Sequence, residues 1–219
     1  MHKSVQNLNI IKKKIRDRLN NIGKKESPNI VAVSKTFPIE DILPLINSGH
    51  LDFGENKVQE TLDKWYNLKQ TNKNINLHLI GKLQTNKVKF AVKIFDYIHS
   101  VDNEKLAKKI SDEMNKINRS VKIFIQVNIG RESQKSGVDI RYLEKLFIFC
   151  KEIKLNVIGL MCIPPENDDP QKYFKEMELL SKKYNLKELS MGMSADYLDA
   201  IEHSSTYLRI GSDIFGKRY

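Results

Sequence analysis

Ile30-Val31-Ala32-Val33-Ser34-Lys35, followed after one helical stretch by Leu51-Asp52-Phe53-Gly54, decides how this chain folds. The first run is β-branched and lacks polar alternation, the pattern of a strand covered on both faces, as in a parallel sheet. Between the two runs Pro38 precedes Ile39, Ile42, Leu43 and Ile46 at helical spacing, and Gly49 stops that helix before the second strand. A strand, a helix and a second strand therefore occupy Ile30 to Gly54.

The same alternation extends in both directions. Upstream, Leu8, Ile11, Ile15, Leu19 and Ile22 form one apolar stripe between lysines and arginines, an amphipathic helix that Gly23 ends. Downstream, a helix over Lys57 to Leu68 precedes a strand at Leu77 to Gly81, and a helix over Gln84 to Ile94 precedes a strand at Tyr97 to Val101. Asp102 is expected to cap the helix that carries Leu106, Ile110, Met114 and Ile117. The strand Val121 to Asn128 divides by parity: Val121, Ile123, Ile125 and Val127 make an apolar face, and Lys122, Phe124, Gln126 and Asn128 the other. A helix over Ile140 to Ile153, a strand at Val157 to Cys162, and a helix capped by Asp169 with Pro170 at its first position follow. Short strands at Glu188 to Met191 and Tyr207 to Ile210 enclose a helix over Ala195 to Glu202.

Eight such units with short connections predict an α/β fold, a single (β/α)8 TIM barrel with an extra N-terminal helix, as one domain over residues 1–219. A doubly wound open sheet is the alternative. The barrel is preferred because the unusual residues fall just past the carboxyl ends of strands, where barrels place their sites.

Composition narrows the function. With 219 residues, 40% hydrophobic and 29% charged, the chain can bury a core and is not a disordered or collagenous segment. The longest apolar stretches, Leu146 to Cys150 and Val157 to Ile163, are too short to span a membrane, and no apolar leader follows Met1. Cys150 and Cys162 fit no pairing motif, so a cytoplasmic protein is expected. A net charge of +10 raises the question of nucleic acid, but the basic residues are 30 lysines and only 7 arginines, spread along the helix faces without interleaved aromatic residues. They read as a solvated surface, with no nucleic-acid partner. The histidines, His2, His50, His78, His99 and His203, are scattered without ligand spacing, so no metal site is expected, and no nucleophile elbow points to a hydrolase triad.

Lys35 ends the first strand. A lysine at an apolar barrel mouth is partly desolvated, which favours a neutral amine able to form a Schiff base with a carbonyl. Position alone is weak ground among 30 lysines, but the other end of the chain adds to it. Ser190-Met191-Gly192-Met193-Ser194 follows the seventh strand, where Ser194 is expected to cap the next helix, and Arg209-Ile210-Gly211-Ser212-Asp213 follows the eighth. Small residues before helix starts also make ordinary turns, yet in barrels this pair of positions commonly holds phosphate. An amine on strand one beside a phosphate cradle on its neighbour, strand eight, suggests pyridoxal 5′-phosphate. Arg209 belongs to this site or to an ion pair with Asp213 or Glu202.

The chain also resembles the YggS/PROSC pyridoxal phosphate homeostasis proteins, related in fold to the barrel domain of alanine racemase. The resemblance runs through Val31 to Lys35, Phe53-Gly54-Glu55-Asn56-Lys57-Val58-Gln59-Glu60, His78 to Lys87, Gln126-Val127-Asn128, Lys135-Ser136-Gly137, Gly159-Leu160-Met161 and the two carboxyl-terminal segments. It implies that Lys35 holds the cofactor aldehyde and that Ser194, Gly211 and Ser212 hold its phosphate. Arg209 would contact the pyridine nitrogen or brace the phosphate. Asn56 and Met161 would line the ring, with core packing the alternative for Met161. His78, early in its strand, reads as structural and near the closed end of the barrel.

Two functions follow. One is an intracellular carrier that holds pyridoxal phosphate for homeostasis or for delivery to recipient apo-enzymes. The other is an amino-acid racemase on the same barrel. Racemisation needs a base on each face of the substrate carbon. With Tyr219 nine residues past the eighth strand, no second domain is expected to supply one, so the carrier is favoured and a monomer suffices. Tyr219 itself, like the other tyrosines, is a candidate acid without a strand end to aim it.

Overall fold

Every strand expected from the sequence forms, and each pairs in parallel with its neighbours in chain order until β8 closes on β1. The computed structural model describes residues 1–216; Tyr219 lies outside the described residues. The strands are β1 (Asn29–Val33), β2 (Asp52–Glu55), β3 (Asn76–Leu79), β4 (Tyr97–Val101), β5 (Lys122–Val127), β6 (Val157–Cys162), β7 (Glu188–Ser190) and β8 (Tyr207–Ile210). Around them lie α2 (Ile39–Asn47), α3 (Val58–Thr71), α4 (Val88–Ile94), α5 (Glu104–Lys116), α6 (Ile140–Glu152), α7 (Pro170–Lys183), α8 (Tyr197–Glu202) and α9 (Ser212–Phe215). The extra N-terminal helix is α1 (Lys3–Asn21). Closure of β1 on β8, with Val31 opposite Arg209, excludes the open sheet.

Strand parity sets two cores. Ile123 and Ile125 point outward into the apolar layer between sheet and helices, whereas Phe124 points inward with Val31, Tyr97, Met161 and Tyr207. Burying each such aliphatic or aromatic side chain contributes about 1.5–3 kcal/mol. His78 and His99 also lie inside the barrel, His78 stacked on Tyr97 at 4.1 Å and His99 on Phe124 at 4.3 Å between ring centroids. His78 Nε2 is 3.1 Å from Asp52 Oδ1, the residue that opens β2, so His78 reaches toward the strand-start end.

Side chains cap the starts of α1, α5, α6 and α7. Asp169 caps α7, its Oδ1 accepting from Gln171 N at 3.0 Å, with Pro170 at the first position. Asp102 does not cap α5. Asn103 does, its Oδ1 accepting from Leu106 N at 2.8 Å, because the helix starts one residue later than the sequence suggests. Asp102 instead accepts from Gly137 N at 3.4 Å and ties the loop after β5 to the end of β4. α1 buries Leu8, Ile11, Ile15 and Leu19 and packs against α2, α8 and α9, with Asn7 Nδ2 donating to Ile214 O at 3.0 Å. No helix of the described residues is long and apolar enough to cross a membrane.

Candidate functional site

The carboxyl ends of the strands open into a cavity of about 960 Å3, inside the range of about 300–1,000 Å3 usual for small-molecule sites. Lys35, Asn56, Ser194, Arg209, Gly211 and Ser212 line it together. Met161 does not: it is fully buried in the interior cluster, and Ile163, the next inward residue on the same chain segment, lines the cavity instead. Met161 takes the core-packing alternative.

Lys35 continues the inward series Val31 and Val33 and is half-buried. The turn that carries it is held from behind. Ser34 points outward, where its Oγ donates to Glu55 Oε1 at 2.7 Å; Trp65 Nε1 donates to the same oxygen at 3.0 Å and Lys64 Nζ lies 2.9 Å from it. Lys64 Nζ also donates to the backbone oxygens of Ser34 and Phe37, both at 3.0 Å. Glu55 is wholly buried and the Lys64 side chain only 9% exposed, so the pair works in a low dielectric. Thr36 takes a left-handed φ of 69°, uncommon for a β-branched residue, and its N–H donates to Glu60 Oε1 at 2.9 Å. α3 thus clamps both sides of Lys35. Sequence reading missed this clamp, for nothing in the spacing of Glu55 and Lys64 announces a contact between a strand and the helix behind it.

Across the mouth, the loop after β7 departs from expectation. Ser194 does not cap α8, which starts after Asp196, and the Asp196 carboxylate takes the N–H of Met193 at 2.6 Å. Ser194 Oγ instead accepts from Asp213 N at 3.3 Å, joining the loops after β7 and β8. Gly192, at φ 93°, lies so close to Ala200 that a Cβ would approach its methyl to 2.7 Å, so only glycine fits this turn. Gly211 differs: its φ is negative, and a Cβ there would meet only Val33, at an ordinary 3.4 Å. Packing therefore does not demand glycine at 211.

Arg209 is buried on the inner wall. Its Nη1 donates to Ser190 Oγ at 2.7 Å and its Nη2 to Cys162 O at 2.8 Å. It does not pair with Glu202, which meets Arg18, nor with Asp213 among the described residues. Burial draws the guanidinium below its ordinary pKa, and the nearby Asp196 opposes that. Burial raises the Asp196 carboxyl in turn and pushes the Cys162 thiol up to about 12, so that thiol is not a nucleophile at neutral pH.

Gln126, Lys135 and Lys82 also line the cavity and were given no role in advance. Gln126 was findable, since parity had put it on the amide face of its strand; its Nε2 donates to Ser136 O at 3.2 Å. Lys135 lies on the loop after β5, with Nζ 3.1 Å from Pro164 O and 2.6 Å from Glu132 Oε2.

A barrel whose mouth brings a lysine after β1 into one cavity with the loops after β7 and β8 defines a class. The family model "Alanine racemase, N-terminal domain" matches residues 7–219. An alanine racemase of Clostridium difficile 630 shares the fold, with a TM-score of 0.72 at 15% identity over 93% of this chain and 56% of that one. Within that class the match is narrower. A "Pyridoxal phosphate homeostasis protein" of Aquifex aeolicus is 38% identical over 97% of each chain. PipY of Synechococcus elongatus PCC7942, solved with PLP bound, has a TM-score of 0.81 at 32% identity, covering 92% of this chain and all of that one. The chain belongs to the pyridoxal phosphate homeostasis protein family.

Proposed function

We propose that this protein binds pyridoxal 5′-phosphate through Lys35 and takes part in intracellular homeostasis of the cofactor, including its delivery to recipient apo-enzymes. The observation that carries the reading is one cavity, in a member of this family, that joins Lys35 to Ser194, Gly211, Ser212 and Arg209. The donor set fits the group. Two hydroxyls and a permanent cation suit a phosphate dianion and a ring acceptor, and an amine suits an aldehyde.

When bound, the cofactor would supply an aldehyde that captures an amine reversibly and a phosphate that anchors it. Lys35 would hold the aldehyde, Ser194, Gly211 and Ser212 the phosphate, and Asn56 would stand beside the ring. Arg209, which can only donate, would face the ring nitrogen or brace the phosphate. Lys82, Glu166 and Ser212 on the rim are exposed, which suits a site that loads and releases its ligand.

The test is an absorbance spectrum of the purified protein with pyridoxal phosphate, before and after borohydride, followed by peptide mass mapping. The expected result is a visible band in the wild type, reductive fixation of the cofactor on Lys35, and loss of both in Lys35→Ala with the circular dichroism unchanged. Fixation on another lysine, with the band intact in Lys35→Ala, would overturn the assignment of Lys35.

A further inference from the structure

Beneath the cavity, five side chains from five strands meet end to end. Arg209 Nη1 lies 2.7 Å from Ser190 Oγ, Ser190 Oγ 2.8 Å from His99 Nδ1, His99 Nε2 3.0 Å from His78 Nδ1, and His78 Nε2 3.1 Å from Asp52 Oδ1. Ser190, His78 and His99 are wholly buried, and the Asp52 side chain is 23% exposed at the opposite end of the barrel. The path crosses the barrel interior from its floor to its ligand-facing wall.

The chemistry of the two ends gives this path one direction. A guanidinium only donates and an ionised carboxylate only accepts, while a neutral imidazole offers one donor and one acceptor. Burial holds both imidazoles in the neutral form. Burial also pushes the Asp52 carboxyl up, but the hydrogen bonds from His78 and Asn76 outweigh that and keep it below its ordinary value. His78 must then donate from Nε2 to Asp52 and accept at Nδ1. His99 must donate from Nε2 and accept at Nδ1, so the Ser190 hydroxyl donates to His99 and turns a lone pair to Arg209. Each proton has one place, and reversing any link sets two donors or two acceptors face to face.

We propose that Ser190, His99, His78 and Asp52 are positioning residues for Arg209: a hydrogen-bond chain of fixed direction that holds its guanidinium against the cavity for the ligand. The proposal rests on the reading of the cavity as the pyridoxal phosphate site. It gives a role to two buried histidines that the binding residues leave unexplained. It also predicts that a change at the far wall of the barrel is felt at Arg209 without any contact to the ligand.

Two measurements test it. Nitrogen-15 NMR of histidine-labelled, ligand-free protein at neutral pH should show His78 and His99 both neutral and both protonated at Nε2. Affinity for pyridoxal 5′-phosphate, read by equilibrium dialysis, should fall about tenfold or more in Ser190→Ala, since a hydrogen bond to a charged group is lost and its donor left buried. His99→Gln, which keeps one donor and one acceptor, should retain more affinity than His99→Leu, while both keep the wild-type circular dichroism. An Nδ1-protonated tautomer at either histidine would overturn the chain, as would wild-type affinity in both Ser190→Ala and His99→Leu. Failure of the wild type to bind the cofactor would instead overturn the functional reading, and the tautomers alone would then decide the chain.

Discussion

Replacing Lys64 with methionine removes the cation of the clamp behind Lys35 while keeping most of the side-chain volume. The ammonium touches Glu55 Oε1 at 2.9 Å and two backbone oxygens, those of Ser34 and Phe37, at 3.0 Å each. Breaking a buried pair from one side costs about 3–5 kcal/mol, because the remaining charge is left uncompensated. Ser34 Oγ and Trp65 Nε1 still donate to the same carboxylate oxygen, which places the loss near the lower end, at about 3 kcal/mol. Against a total stability of about 5–15 kcal/mol the protein should still fold. At about 2–4 °C per kcal/mol for a chain of this size, Tm should fall by about 6–12 °C. Urea unfolding of Lys64→Met should agree with the thermal value, and Glu55→Gln added to it should restore part of the loss by removing the stranded charge. A fall of less than about 2 °C, or a double variant no more stable than Lys64→Met, would refute the claim that this pair holds the turn.

The loops after β7 and β8, proposed to hold the phosphate, give a second expectation. Ser194→Ala with Ser212→Ala should weaken pyridoxal phosphate binding by tens to hundreds of fold, at about 1.5–3 kcal/mol for each charge-assisted bond, and pyridoxal should bind poorly even to the wild type; equal affinities for the two would remove the anchor. Stability should also fall in acid. Burial sets His50 at about 4 and holds His78 and His99 below their ordinary range, so the unfolded chain takes up protons first as the pH drops through about 6.5. His50 alone then removes about 2 kcal/mol between pH 7.5 and 5, and urea midpoints that stay level over that range would contradict its burial in the neutral form. Finally, holo-protein incubated with L- and D-amino acids in deuterated water should exchange its cofactor without sustained turnover. Racemisation at about 1 s⁻¹ or faster would favour the racemase over the carrier.

The barrel was readable because its two determinants are local: apolar runs without alternation for the strands, and stripes at helical spacing between them. Parity along β5 separated its two faces but not which of them turns inward; Phe124 and Gln126 do. Depth was not readable. In a tilted barrel the layer a residue occupies depends on the register with its neighbours, so Met161 and Ile163 look equivalent in sequence but lie in the interior cluster and at the cavity wall. Ser194 was placed at the mouth for the wrong local reason, since Asp196 starts α8. The Glu55–Lys64 clamp was invisible because no spacing rule ties a strand to the helix packed behind it, and the path from Asp52 to Arg209 because its His99–Ser190 link crosses the closed barrel.

Closure of the sheet has an effect on the order in which the molecule can be made. β1 finds its second neighbour only in β8, and α1 covers its stripe largely with α8 and α9. As the chain leaves the ribosome, the first helix keeps Leu8, Ile11, Ile15 and Leu19 without those partners, and the first strand keeps a bare edge, until residues near 200 emerge. Such long-range pairing folds slowly and leaves sticky surface in waiting. The lysines and arginines between the apolar positions of α1 give the nascent segment a charge that keeps copies apart over that interval. The same lysine-rich surface thus has its use before the barrel exists.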